Sequence, residues 1–276
     1  MWNQFKTVLL LGLMSGLVLG IGYLFGGNSG LIVSCVLAVL MNFGMFFFSH
    51  KLVLAMYHAR PASKRDYPYL HRMVEDIAHK VHLPKPALFI IPTETPNAFA
   101  TGPSPKKAVV ACTEGILKLL NDHELKGVLA HEFSHIKNRD MLVSTIAATM
   151  AAVISTFARI AMFTGGDDRN RVHPVALLLL IVVTPIVALL IQLAISRSRE
   201  YLADETGART LGDSQGLASA LAKLERGCRL HPLRAGNPAT SSLFIVNPFS
   251  VKGIVSLFST HPATALRIER LQKLKF

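Results

Sequence analysis

The chain has 276 residues, 51% of them hydrophobic, with a mean hydropathy of +0.40. That is too apolar for an ordinary soluble domain of this length. Its net charge is +12, but no basic stripe interleaved with aromatics stands out, so no nucleic-acid partner is expected. Three cysteines, Cys35, Cys112 and Cys228, give no disulfide framework and agree with a reducing compartment.

The apolar excess lies in four runs. Phe5–Phe25 carries only Lys6 as a charge, and Leu31–Phe48 carries none. Leu142–Phe163 holds only Arg159, and Val175–Ile195 is uncharged. Each is long enough to cross a ~30 Å hydrocarbon core as a helix. The first is too long for a secretory signal and has no small-x-small cleavage site after it, so it is read as a retained membrane helix. Gly12, Gly16 and Gly20 recur every fourth residue there and offer a face for close helix contact, although glycine is common in membrane helices generally. All basic residues but Lys6, Arg159, Arg169 and Arg171 fall in Ser49–Met141 and Ser196–Phe276. The positive-inside rule puts both segments and both termini in the cytoplasm, facing anionic membrane lipid. The expected organisation is a transmembrane hairpin over 1–48, with helices at about 5–25 and 31–48. The first part of a cytoplasmic domain follows over 49–141. A second hairpin spans 142–195, with helices at about 142–163 and 175–195. The rest of the domain is 196–276. The fold class is α-rich α+β in an integral membrane protein with four transmembrane helices.

After the second run, Tyr67–Val81 has helical spacing, with Leu70, Met73, Val74 and Ile77 on one side. Leu83-Pro-Lys-Pro86 ends it. Ala87–Ile91, Asn97–Gly102 and Ala108–Cys112 are short β-prone stretches, with Gly102–Lys107 as a turn. Thr113–Leu120 begins a helix. A second helix follows, capped by Asp122, and within it residues 131–135 read His-Glu-Phe-Ser-His.

On a helix, positions i and i+4 share a face, so His131 and His135 can present two imidazole nitrogens to one Zn²⁺. Glu132 stands beside them as general base for the attacking water. Two histidines one turn apart on a polar surface are the competing reading. A catalytic zinc needs a third protein ligand and an open position. Glu200 is the candidate, and Asp204, four residues on, shares its helix face. One carboxylate would bind metal, and the other would take the ring N–H of a ligand histidine, His131 in preference to His135. Alternatively, Glu200 pairs with Arg197 or Arg199 on a solvated face. A small sheet followed by the metal helix is an order typical of zinc proteases. Cys112 lies near enough in sequence to approach a metal, but reads as a small buried side chain.

His131-Glu-Phe-Ser-His-Ile-Lys-Asn-Arg-Asp140, an apolar hairpin and Ser198-Arg-Glu-Tyr-Leu-Ala-Asp204 together resemble the HtpX-type membrane zinc endopeptidases, relatives of the CaaX prenyl endopeptidases. Asn97-Ala-Phe-Ala-Thr-Gly102, Ala108-Val-Val-Ala111 and Leu257-Phe-Ser-Thr-His-Pro262 with Arg267 match as well. The resemblance implies a gluzincin-like protease domain with a small β-sheet. It implies one Zn²⁺ on His131, His135 and Glu200, with Glu132 as base. It also implies proteolysis of misfolded or damaged membrane proteins in a stress response, in the inner membrane of a bacterial cell. Phe133 and Lys137 depart from residues common in that family, but neither is in the metal triad.

His261 and Arg267 are expected near the metal, stabilising charge on the reacting oxygen; a helix-start residue and a solvated charge are the alternatives. An extended substrate would add as a strand. Ala108–Ala111, with Val109 and Val110, is the expected edge. Asn97, Ala98 and Phe99 would line the same cleft, and Asn97 would offer its amide to the substrate. A prenyl-protein endopeptidase with the same chemistry is a second reading. A catalytically silent zinc-binding scaffold is a third, against which Glu132 argues.

Overall fold

The computed structural model describes residues 2–149, 197–233, 240, 243–247 and 262–276. The fourth apolar run, most of the third and His261 lie outside the described residues.

Helix α1, Trp2–Met56, covers both the first and second apolar runs. It is not one rod. Ser15 and Asn42 would stand ~40 Å apart along a straight helix, yet the Asn42 amide donates to the Ser15 hydroxyl at 2.7 Å. The chain reverses at Gly27, whose φ of 54° and ψ of −137° are open to glycine and costly for other residues. The two arms meet at Gly22, Gly30 and Ser34: an added Cβ on Gly22 would collide with the Ser34 side chain and the Gly30 carbonyl, and one on Gly30 with the Gly22 carbonyl. Gly12, Gly16 and Gly20 meet nothing within 4 Å among the described residues. The close face is therefore set by where the turn falls, not by the fourfold glycine spacing. Among the described residues, one helix, Gly27–Met56, is long and apolar enough to cross a membrane. Its Ile32, Val39 and Leu40 are exposed, as side chains facing lipid would be.

The sheet has four strands in the order β1-β2-β4-β3. These are β1 (Arg60–Pro61), β2 (Ala87–Ile91), β3 (Ala98–Thr101) and β4 (Val109–Thr113). β2 runs parallel to β4, and the other pairings are antiparallel. Side chains alternate between two cores, as the strand period of two requires. Leu88, Ile90, Ala98, Ala100, Val110 and Cys112 face the larger one. Phe99, Val109, Ala111 and Ile91 face a second, made with Val53, Leu54 and Tyr57 from the end of α1 and with Ala148. There Phe244 meets Tyr57 and Phe99 edge-on, at centroid distances of 5.1 and 5.3 Å.

The larger core is closed by helices. α2 (Pro68–Val81) buries Leu70, Val74 and Ile77 of the expected stripe together with Ala78 and Val81, while Met73 is only partly buried; it starts with Pro68 and ends at His82 in the left-handed region. α3 (Glu114–Leu119) is capped by Thr113. α4 (Asp122–Lys137) carries the two histidines. Its cap is Asn121 rather than Asp122: the Asn121 side chain accepts from the Glu124 N–H at 2.9 Å, and Glu124 accepts from the Asn121 N–H at 3.1 Å. α5 (Asp140–Thr149) opens the third apolar run. Beyond the segment expected to form the second hairpin, an insertion within the domain, come α6 (Arg197–Leu211), α7 (Gln215–Leu230) and α8 (Thr264–Gln272). Glu124 binds Lys223 and Ser219, tying the start of α4 to α7.

Candidate metal centre

α4 crosses under the sheet with Leu129, Phe133 and Ile136 wholly in the core. That anchorage fixes the adjoining face of the helix, where His131, Glu132 and His135 line a cleft. The cleft is also lined by Ala100 of β3, Asp140 and Met141 of α5, Glu200 of α6, and Phe244 and Ile245. Phe133, the family departure, is core.

α6 supplies the third group. Glu200, Asp204 and Gly207 fall on one helical face (i, i+4, i+7). Gly207 sets the depth, because a Cβ there would come within 2.9 Å of the His131 backbone nitrogen. Only glycine lets α6 press its backbone onto α4 and bring both carboxylates in. Gly207→Val should force the helices apart. It should destabilise the fold by ~1–3 kcal/mol, read as a lower Tm of the full chain, and reduce its zinc content. A wild-type melt and metal content would mean that α6 needs no such contact.

The geometry is convergent. His131 Nε2 and His135 Nε2 lie 3.2 Å apart, and the Glu200 carboxylate reaches them at 3.8 and 3.5 Å. The three ligand atoms all lie within 4.8 Å of one another. Glu200 is 6% exposed, which excludes the solvated-face pairing with Arg197 or Arg199. Two imidazole nitrogens and one carboxylate, with lone pairs aimed at one point, repel one another unless a cation or a proton lies between them. The donor set therefore fits a zinc ion.

Asp204 lies 2.9 Å from His131 Nδ1 and takes a two-pronged bond from Arg267, Nε to Oδ2 at 2.8 Å and Nη2 to Oδ1 at 2.7 Å. Arg267 also donates from Nη1 to the Ile245 carbonyl at 2.9 Å. It is 1% exposed and is not among the residues lining the cleft, yet it lies near the ligands as expected, 3.7 Å from the Glu200 carboxylate and 3.5 Å from the His131 ring. His135 Nδ1 has its own carboxylate, Asp140, at 3.2 Å.

The charges shape the titration. Burial raises the Glu132 carboxyl to about 7, with the Glu200 charge adding to the rise and the His135 ring and the Ala100 backbone N–H opposing it. Burial lowers His131, and contact with Asp204 only partly offsets this. Burial works against the His135 cation too, but Asp140, Glu200 and Glu132 outweigh it and lift the ring to about 9. Burial works against the Asp204 anion, yet Arg267 holds it below the usual carboxylate range. Cys112 is fully buried, and desolvation pushes its thiol up to about 12, so it is core and no thiolate ligand.

The expected substrate edge is corrected. β4 is flanked by β2 and β3, so Val109 and Val110 offer no free edge; each enters one of the two cores instead. β3 is the outer strand on that side. Asn97, just before it, is 1% exposed, and its amide is engaged: Oδ1 accepts from the Ala98 and Ile245 N–H groups, and Nδ2 donates to the Val246 carbonyl at 2.6 Å. Ile245 also donates to the Ala98 carbonyl, at 3.4 Å. Phe99 is in the second core. Of β3, Ala100 lines the cleft. The segment 243–247 was not foreseen in the site. Its only signal was an apolar Leu243-Phe-Ile-Val246 stretch without strand-like alternation.

A buried carboxyl raised to about 7 beside a buried His-His-Glu cluster that could hold a metal, on an HExxH helix, is the arrangement a metallopeptidase requires. The comparisons agree. The chain belongs to peptidase family M48, whose model matches residues 64–275. A protease HtpX homolog of Pyrococcus furiosus is 54% identical over 98% of this chain and 95% of its own length. Proteins of the same description are 50% identical in Methanocaldococcus jannaschii (98% and 97% covered) and 49% identical in a Sulfurihydrogenibium species (99% and 97%). The solved structure of S. mikatae Ste24p overlaps at a TM-score of 0.49 and 19% identity, covering 98% of this chain and 65% of that one, too loosely to carry a conclusion.

Proposed function

We propose that the protein is a membrane-integrated zinc endopeptidase with four transmembrane helices, acting on unfolded or damaged membrane proteins. The observation that carries this reading is the convergence of His131, His135 and Glu200 from two helices, with Glu132 buried beside them. His131, His135 and Glu200 hold the metal. When bound, zinc supplies a Lewis acid that polarises the scissile carbonyl and acidifies water. Glu132 takes the proton of the attacking water and returns it to the leaving amine; a carboxyl raised to about 7 is suited to both transfers. Asp204 keeps His131 turned by holding its Nδ1, and Arg267 keeps Asp204 charged and in place. Arg267 thus acts as a positioning residue, and His261 remains the proposed stabiliser of charge on the reacting oxygen. The substrate lies extended beside β3 at Ala100, next to Glu132, because the Asn97–Ala98 end of that edge is occupied by 243–247.

The domain divisions at 48, 141 and 195 follow the apolar runs. The concentration of basic residues in 49–141 and 196–276 supports a cytoplasmic protease domain with both termini inside. The membrane in this reading is the bacterial inner membrane or its archaeal counterpart, the similar proteins including one from Pyrococcus furiosus. Reporter fusions at Gly27 and Asp168 should read outside and one after Phe276 inside; the opposite pattern would reverse the orientation.

The reading as a whole is tested on the purified full chain. It should carry about one zinc per chain. It should lose cleavage of an unfolded protein after chelation and regain it when zinc is restored. Cleavage that persists after complete metal removal would end the proposal. A prenyl-protein endopeptidase has no specific observation in its favour here.

A further inference from the structure

Asp140 stands five residues after His135. On an unbroken helix, i and i+5 point ~140° apart, so this carboxylate should face away from the ligand. It does not, because the chain turns between them. α4 stops at Lys137, and Arg139 takes a left-handed conformation with φ of 56°, an uncommon state for a side chain of that size. A new helix starts at Asp140. The kink swings the Asp140 carboxylate back until Oδ2 lies 3.2 Å from His135 Nδ1. Its other oxygen lies 3.5 Å from Nη1 of Arg199, in the first turn of α6 and directly before Glu200. Asp140 is 3% exposed.

The arrangement repeats that of the other histidine. His131, Asp204 and Arg267 form one chain of imidazole, carboxylate and guanidinium; His135, Asp140 and Arg199 form a second. In both, the carboxylate meets Nδ1, which leaves Nε2 turned toward the partner ring and Glu200. A carboxylate on Nδ1 holds that proton in place and makes the opposite nitrogen a better donor to a cation.

We propose that Asp140 is the positioning residue for His135 and that Arg199 positions Asp140. The inference rests on the reading of the site as a zinc centre. Asp140 begins the stem by which the chain enters the insertion, and Arg199 belongs to the stem by which it returns. The pair therefore fastens both stems to one metal ligand, and a change in their spacing is felt at His135.

The test is zinc affinity, measured on the full chain in detergent by competition with a chromophoric chelator, together with thermal unfolding of the metal-free forms. Asp140→Ala should bind zinc ~10–100-fold more weakly with a near-wild-type metal-free melt. Arg199→Ala should lose ~3–10-fold, and Arg199→Lys should recover part of that. The double alanine variant should be no more than about threefold weaker than Asp140→Ala alone, because the two act in series. Wild-type zinc affinity in Asp140→Ala overturns the proposal, and independent, multiplying losses overturn the role of Arg199. If Asp140→Ala does not fold without metal, Asp140→Asn decides. It keeps an acceptor for Nδ1–H but loses the charge, so it should bind severalfold more weakly; unchanged affinity would count against the inference. A wild-type chain that binds no zinc would sink the zinc reading and this proposal together, whereas tight wild-type binding with an indifferent Asp140 sinks only this one.

Discussion

Glu132→Gln should keep its zinc and lose cleavage by ~10²–10⁴-fold, the range a positioned general base contributes. Glutamine has nearly the same shape and still accepts the Ala100 N–H through its carbonyl, so the cleft should keep its form. What disappears is a group that can take up and release a proton. Glu132 is 3% exposed, and desolvation is the main cause of its raised pKa. The substitution replaces a buried titratable group by a neutral one, so the metal-free fold should not suffer. The measurement is turnover of an unfolded protein alongside metal content. Wild-type turnover with zinc present would remove Glu132 from the mechanism.

Glu200→Ala should release the metal. Losing a partner that orients a ligand costs ~10–100-fold in affinity; losing a ligand with a full negative charge should exceed the upper end of that range. Two imidazoles would then face the cation without the carboxylate that neutralises it, and Arg267, 3.7 Å from Glu200, would stand close by with its own positive charge. Zinc content after dialysis reads the effect. Unchanged content would pass the role of ligand to another carboxylate. Among the described residues, no other group is placed with both histidines in such a cluster.

The parts of this protein that depend on short spacing were legible in the sequence. The stripe of α2, the two histidines of α4 and the Glu200–Asp204 pair each follow from the pitch of one helix, whatever surrounds it. The strand order was not legible. β2 pairs in parallel with β4, across β3 in the chain, so the strand nearest the metal helix in sequence is central and its predecessor is the edge. No local pattern announces that, because both faces of the sheet are buried and the strands read as plain apolar runs. Asp140 was hidden for a different reason. Its approach to His135 needs Arg139 in a conformation that its residue type does not favour, which spacing rules for a regular helix exclude. The turn of α1 shows the same limit: the contact between its arms follows Gly27, and among the described residues the regular glycines upstream meet nothing within 4 Å.

The second face of the sheet bears on how the molecule can be handled. Phe99, Val109 and Phe244 are covered by Val53, Leu54, Tyr57 and Ala148, residues at the ends of the apolar helices. A boundary drawn at residue 48 therefore separates an apolar composition from a more polar one, but the packing of the sheet continues across it into the end of α1. A fragment trimmed to remove the whole first hairpin and its continuation would bare an aromatic surface directly beneath the strand that borders the catalytic cleft. In such a molecule, the bilayer anchor doubles as the floor of the enzyme, and what surrounds the anchor, lipid or detergent, becomes a determinant of whether the active site holds its shape.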